Sequence, residues 1–268
     1  NGVTSMLYFN HGLGTNFTGY EMYFNDGVDE DAFVYLALAN AVIHEVRPDA
    51  VTIAEDVSGM PGCAAPITDG GLGFDYRMAM GVPDYWFKLA ADTQDENWPM
   101  GYLYYVLNDH RSDEKVVSYV ESHDQALVGG KTFFFQLADA AVYWGMGKDQ
   151  HGLEIERAIA LHKMARLATC ALNGGAYLNF MGNELAMFRE WDEKRETDWD
   201  LLKMPAHDSF HRYIGELNWL YLKKKAIWAL DHTYDGFKWV DCKSENKCVF
   251  GYTRTDNERM LLILLNFS

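Results

Sequence analysis

The chain has 268 residues, 49% of them apolar, and carries 39 acidic against 23 basic side chains for a formal net charge of −16. That length and composition supply an ample core and exclude a disordered chain, while the acidic excess argues against nucleic acid or an anionic membrane, both of which demand a basic patch. No apolar run reaches the roughly 18 residues of a membrane span, and Asn1 to Met6 lack the basic flank of a signal peptide, so a soluble protein with a neutral partner is expected.

In chain order, "FVYLALANAVIHEV" from Phe33 repeats apolar residues at helical spacing and stops at Arg47-Pro48. "AVTIAED" then reads as a buried strand ending in acid. A Gly/Pro-rich loop leads to "GGLGFDYRM" and a helical region over Met80 to Ala91. "EKVVSYVESHD" is the next strand. "LEIERAIALHKMARLATCALNGG" is a long helix with its cap expected at Gly174-Gly175, "AYLNFMGNE" a further strand, and "DSFHRYIGELNWLYLKKKAIW" a helix with an Asp at its start. Past about Leu230, "KCVFGYTR" and "MLLILLNF" flank a polar turn and look like the opening hairpin of a β domain. The alternation of strand and helix predicts an α/β parallel sheet over residues 1–230 and an incomplete all-β domain over 231–268.

Four cysteines, Cys63, Cys170, Cys242 and Cys248, form no Cys-x-x-Cys pair, so free thiols of a reducing cytosol are expected, with Cys242 and Cys248 as candidate cross-strand neighbours around "CKSENKC". The sequons at Asn16 and Asn266 carry little weight without a secretory signal. His207 and His211 lie four apart, a metal-ligand spacing, but without the Glu of a His-Glu-x-x-His motif no metal is expected there.

The stretch "VSYVESHDQALVGGKT" invites two readings. A phosphate loop needs a glycine five residues before Gly130, and that position holds Gln125. The acids before it would repel a phosphate. The carboxylates are the better candidates, because three strands end in acid, at Glu55, at Glu121 to Asp124 and at Glu184, and in a (β/α) barrel the C-terminal strand ends form the catalytic rim.

Taken together, "NGVTSMLY", "TIAEDVSGMP", "VSYVESHDQALVGGKT", "LNFMGNE" and "FREWDEKRETDWDLL" resemble the 1,4-α-glucan branching enzymes of the α-amylase superfamily. The resemblance implies part of a (β/α)8 TIM barrel, about strands 4 to 8, and an enzyme without cofactor that cleaves an α-1,4 bond with retention and transfers the glucan to a 6-hydroxyl. The partner implied is an α-glucan such as amylose, glycogen or starch. The compartment implied is the cytoplasm, or the plastid in a plant or alga. A hydrolytic amylase relative is the alternative, and an inactive glucan-binding piece is another.

Residue by residue, Glu55 matches the general acid/base, Asp124 the third carboxylate that grips ring hydroxyls, and His123 its neighbouring donor. Glu121 is expected to support structure. Arg77 is a candidate to line the cleft or a salt-bridge partner, and Gln125 and Trp191 are candidate glucan contacts, with Tyr85 and Trp86 as weaker ones. Retention needs a nucleophile and an acid at roughly 5–5.5 Å. The family's nucleophilic Asp falls on Asn1, so the first barrel half is expected to lie outside this sequence, and the chain as written is expected not to turn over glucan, a carboxamide being a poor nucleophile. Gly130 stands where the family commonly has Asp, and Leu185-Ala186-Met187 is a variant of the run after Gly-Asn-Glu.

Overall fold

The computed structural model describes residues 2–128, 130–146, 152–172, 175–189, 191–231, 233–241 and 247–267. The chain forms two compact units, Asn1–Met80 with His110–Val117, and Gly81–Asp109 with Ser118–Ser268.

In the first unit, helix α1 (Val3–Leu7) and the short α2 (Tyr20–Tyr23) precede α3 (Glu30–Val46). The α3 helix starts three residues before the apolar run because Asp29 caps it, its carboxylate accepting from the Ala32 N–H at 3.2 Å, with Glu30 and Asp31 in the first turn. It ends at Arg47, ahead of Pro48, as the sequence predicts. Strands β1 (Ile53–Ala54) and β2 (Tyr76–Met78) pair in parallel, Ile53 opposite Tyr76, and β2 pairs in parallel with β3 (Val116–Tyr119), Arg77 opposite Val116. The core of this unit gathers Val3, Leu7, Tyr8, Ala54, Met60 and Leu72.

In the second unit β3 continues with Ser118 and Tyr119, and β4 (Gly175–Leu178) is its neighbour in the sheet. All four residues of β3 are buried, as a strand covered on both faces requires. Helices α4 (Gly81–Asp92), α5 (Met100–Leu107), α6 (Phe133–Ala138), α7 (Leu153–Cys170) and α8 (Pro205–Lys223) belong to this unit. Phe134 on α6, Ile155 and Ala158 on α7, and Phe210 and Ile214 on α8 share one apolar cluster. The α7 helix ends earlier than expected, with Ala171 as its cap; Asn173 and Gly174 lie outside the described residues. The α8 helix opens on Pro205, whose missing N–H costs nothing in a first turn. No helix among the described residues is long and apolar enough to cross a membrane.

A three-stranded antiparallel sheet closes the chain, with β5 (Phe237–Asp241), β6 (Val249–Thr255) and β7 (Met260–Asn266) in that order. The β6–β7 hairpin runs from Val249 opposite Asn266 to Thr255 opposite Met260, and Asp256 holds its turn by accepting from the N–H groups of Glu258 and Arg259 at 3.1 and 2.7 Å. Cys242 lies outside the described residues, and with it the Cys242–Cys248 pairing, while Cys248 is buried.

Candidate active site

Glu55 is the first residue after β1, half-buried. Its carboxylate accepts from the Gly2 N–H at 3.1 Å, and its backbone carbonyl from the Val3 N–H at 3.0 Å. Gly2 reaches it from a left-handed conformation, φ +68°, that favours glycine. The next residue, Asp56, is buried and saturated with donors. Its Oδ1 accepts from the hydroxyls of Thr4 at 2.5 Å and Ser58 at 2.8 Å, and its Oδ2 from the N–H groups of Gly59 and Met60 at 3.1 Å each. The Thr4 hydroxyl also accepts from the N–H groups of Val57 and Ser58 at 3.0 and 3.2 Å. The turn after Glu55 is thus wound around one carboxylate and one hydroxyl.

Arg77, on β2, is buried at 8% exposure. Its guanidinium lies 3.6 Å from Asp56 and 3.3 Å from Glu114 and donates to the Met60 carbonyl, while Glu114 accepts from the Gly62 N–H at 2.7 Å. Burial pushes the Glu114 carboxyl up from its ordinary range, opposed by the charge of Arg77. Burial also takes the Tyr8 phenol to about 12 and the Cys63 thiol to about 11, which leaves both neutral at physiological pH.

In the second unit the segment after β3 carries Glu121, His123, Asp124 and Gln125, with residues Asp124–Val128 forming a π-helical turn, a local distortion frequent at functional sites. His123 Nε2 lies 3.2 Å from Asp124 Oδ1, both side chains partly open to solvent. Gln125 is held on both sides. Its carbonyl accepts from the Ser122 N–H at 3.0 Å and its amide donates to Asp84 at 3.2 Å.

Glu121 is buried and structural, as expected. One carboxylate oxygen accepts from the Phe133 N–H at 2.6 Å, closing the loop between β3 and α6, and the other from Arg166 at 3.1 Å and Asn183 at 2.5 Å. Burial pushes its carboxyl up from the ordinary carboxylate range, opposed by the charge of Arg166. Arg166 donates through Nε to His162 Nε2 at 3.0 Å, which requires a neutral imidazole, and burial holds His162 well below its ordinary value. Asn183 and Glu184 sit in a tight turn after β4.

Trp191 is half-buried, packs edge-on to Phe180 at 5.7 Å, and lines a cavity of about 490 Å³ with Phe135, Tyr143, Phe188 and Lys131. Trp86 is a correction. It is fully buried, donates to the Thr169 hydroxyl at 3.0 Å and packs on Trp98 and Phe267, so no sugar ring reaches it. Tyr85 is edge-on to Tyr102 at 5.1 Å. His207 is buried, with Nδ1 2.6 Å from the Leu185 carbonyl. Asn1 lies outside the described residues.

Sequence reasoning missed Thr4, Asp56, Arg166 and Asn183. The only local signal was Asp56-x-Ser58-Gly59, an acid followed by small polar and glycine residues, which favours a side-chain-to-backbone turn.

No family model matches the chain. It is 48% identical over 234 residues to the 1,4-alpha-glucan-branching enzyme of Felis catus, which covers 81% of this chain and 33% of that protein. It is 50% identical over 232 residues to the enzyme of the same name from Solanum tuberosum (85% of this chain, 25% of that one), and 51% over 193 residues to that of Rhizophagus irregularis (71% and 28%). The chain therefore spans a third or less of these relatives. Among solved structures it is similar to an Anoxybacillus alpha-amylase, TM-score 0.57 at 12% identity over 88% of this chain and 45% of that one. It is also similar to the alpha-amylase from H. orenii, TM-score 0.53 at 14% identity over 89% and 47%. At such low identity these two speak for the fold alone, and that fold is the α-amylase fold.

Proposed function

We infer, for a chain homologous over four-fifths of its length to the 1,4-α-glucan-branching enzymes, that it supplies part of the catalytic apparatus of a retaining glucan transferase. The observation that carries this reading is the identity of about half of all aligned residues to enzymes of that one name from an animal, a plant and a fungus. In this proposal Glu55 protonates the departing O4 of an α-1,4 bond and later removes the proton from an incoming 6-hydroxyl. Asp124 accepts hydrogen bonds from ring hydroxyls while its charge stabilises the oxocarbenium-like transition state, and His123 donates beside it.

Gln125 and Trp191 are proposed glucan contacts. Trp191 offers an aromatic surface, and Gln125 is oriented by Ser122 and Asp84. Arg77 serves the proposal by holding the turn after Glu55, since its guanidinium is already occupied. The strands β5 to β7 are proposed as the opening of a separate β domain. The cytoplasm, or a plastid in a plant or alga, is the compartment proposed; the buried free thiols Cys63 and Cys170 support a reducing one.

The covalent step needs a carboxylate at the position of Asn1. The test joins this chain to the remainder of the Felis catus enzyme, with Asn or Asp at position 1, and assays amylose by iodine staining and reducing ends together. With Asp, staining is expected to fall without a matching rise in reducing ends. With Asn, turnover is expected to be absent. Glu55→Gln in the Asp form is expected to stop both half-reactions, and Asp124→Asn to lower kcat more than it raises KM. A matching rise in reducing ends identifies hydrolysis, and equal rates from Asn and Asp remove residue 1 from the nucleophile's role.

A further inference from the structure

Glu55 and Asp56 are tied to the start of α1 by three hydrogen bonds in register, two at Glu55 and one at Asp56. The Gly2 N–H donates to its carboxylate, the Val3 N–H to its backbone carbonyl, and the Thr4 hydroxyl to the carboxylate of the next residue, Asp56. The first is exposed and single. The third is buried, Thr4 and Asp56 being 5% and 3% exposed, and at 2.5 Å it is the shortest of the three. A buried hydrogen bond to a charged acceptor is about twice as strong as a neutral one. The Thr4 hydroxyl also accepts from the Val57 and Ser58 N–H groups, so one oxygen fixes both the helix start and the turn that leaves Glu55.

We propose that Thr4 is a positioning residue for Glu55, acting through Asp56 to hold the Glu55 carboxylate against the Gly2 N–H. Its side chain touches no substrate in this arrangement. Arg77 completes the device from the other side, its charge compensating Asp56 and Glu114 while it donates to the Met60 carbonyl at the far end of the turn. Ser58, which also donates to Asp56 Oδ1, spans only two residues and ties the turn to itself. Thr4 reaches across 52 residues. The mechanical consequence is that removing the Thr4 hydroxyl frees the Glu55 backbone relative to α1, whereas removing the Ser58 hydroxyl does not.

This inference rests on the reading of Glu55 as the acid/base, so the experiment has one arm that needs no turnover. The full chain is labelled with 15N-glycine and the Gly2 amide resonance is located by its response to Glu55→Gln. Thr4→Val, which keeps the shape and loses the hydroxyl, is expected to move that resonance in the same direction as Glu55→Gln; Thr4→Ser and Ser58→Ala are expected to leave it in place. If Thr4→Val fails to melt cooperatively, Asp56→Asn takes its place with the same expectation. In the second arm, the joined enzyme with Asp at position 1 is expected to lose at least tenfold in kcat on Thr4→Val with KM within twofold, and to recover on Thr4→Ser. A Gly2 resonance unmoved in Thr4→Val, or an unchanged kcat, overturns the proposal. Should the joined enzyme not act on amylose at all, the proposed function fails and the Gly2 resonance alone decides the role of Thr4.

Discussion

The loops after β1 and after β3 solve one problem in two ways. Each presents a partly exposed acid proposed for chemistry, Glu55 in one and Asp124 in the other, beside a buried acid that organises the loop. Asp56 is solvated largely by its own turn, by backbone N–H groups and two hydroxyls. Glu121 depends on distant side chains, Arg166 on α7 and Asn183 beyond β4, with a single backbone donor. The first carboxylate is compensated by neutral dipoles with Arg77 at 3.6 Å; the second is half of a fully buried ion pair. Local solvation travels with the loop. An ion pair binds the loop to the rest of its unit.

The largest expected effect follows from that difference. Glu121→Ala leaves Arg166 charged and buried without its carboxylate, and breaking a buried pair in this way costs about 3–5 kcal/mol. Replacing both partners, as Glu121→Leu with Arg166→Met, is expected to recover a large part of that loss, because the desolvated charge disappears with its partner. Asp56→Ala with Arg77→Met is expected to recover little, since the Gly59 N–H loses its acceptor whatever occupies position 77 and buried Glu114 loses its cation. Urea denaturation of the singles and doubles measures both couplings. Equal recovery in the two loops would erase the distinction.

A smaller effect separates the units by pH. Among the described residues the buried histidines, His162 and His207, both belong to the second unit. His162 is held neutral by burial and by the Arg166 charge, far below the ordinary 6.5. The unfolded chain therefore binds a proton below that value that the folded chain refuses, and stability rises with pH through this range and is lost as pH falls beneath 6.5. The loss is expected to grow as pH falls from 7 to 5.5. His162→Gln removes this component, so the pH dependence of its urea midpoint between 7 and 5.5 is expected to be shallower than that of the parent. Parallel curves would mean that His162 is protonated in the folded state.

Much of this arrangement was legible in the sequence because it is periodic or terminal. Runs of apolar residues mark β1 to β4 and α3, α4, α7 and α8, and acids at strand ends mark Glu55, Glu121 and Asp124. The strands themselves are shorter than the apolar runs, two residues in β1 and three in β2, because the flanking residues turn out of the sheet to serve the loops. The short α5 and α6 gave no periodic signal, six to eight residues being less than the pattern needs. What joins the site was invisible for a different reason. Thr4 meets Asp56 across 52 residues and Glu121 meets Asn183 across 62, and a single Thr or Asn has no neighbour in the sequence to announce its partner.

The smallest expected effect tests whether the contrast belongs to the buried acids or to the rigidity of the units that hold them. Each unit has a helix with a side-chain N-cap bond of 3.2 Å, Asp29 to the Ala32 N–H on α3 and Thr132 to the Phe135 N–H on α6. Removing a cap costs about 1 kcal/mol. Thr132 is buried, so Thr132→Ala also loses a methyl group, and the difference between Thr132→Ala and Thr132→Ser isolates the hydroxyl. That difference is expected to match the cost of Asp29→Ala within about 0.5 kcal/mol, the scatter usual for independent sites. If so, the two units yield equally to an equal local insult, and the unequal couplings at Asp56 and Glu121 arise from how each acid is compensated. A markedly larger loss at Thr132 would have another source. Phe133, the next residue, donates to Glu121, and a cap that also holds that N–H in place would show its full cost only while Glu121 is present. Measuring Thr132→Ala again in the Glu121→Leu, Arg166→Met background separates the two, since a cap independent of the ion pair costs the same in both.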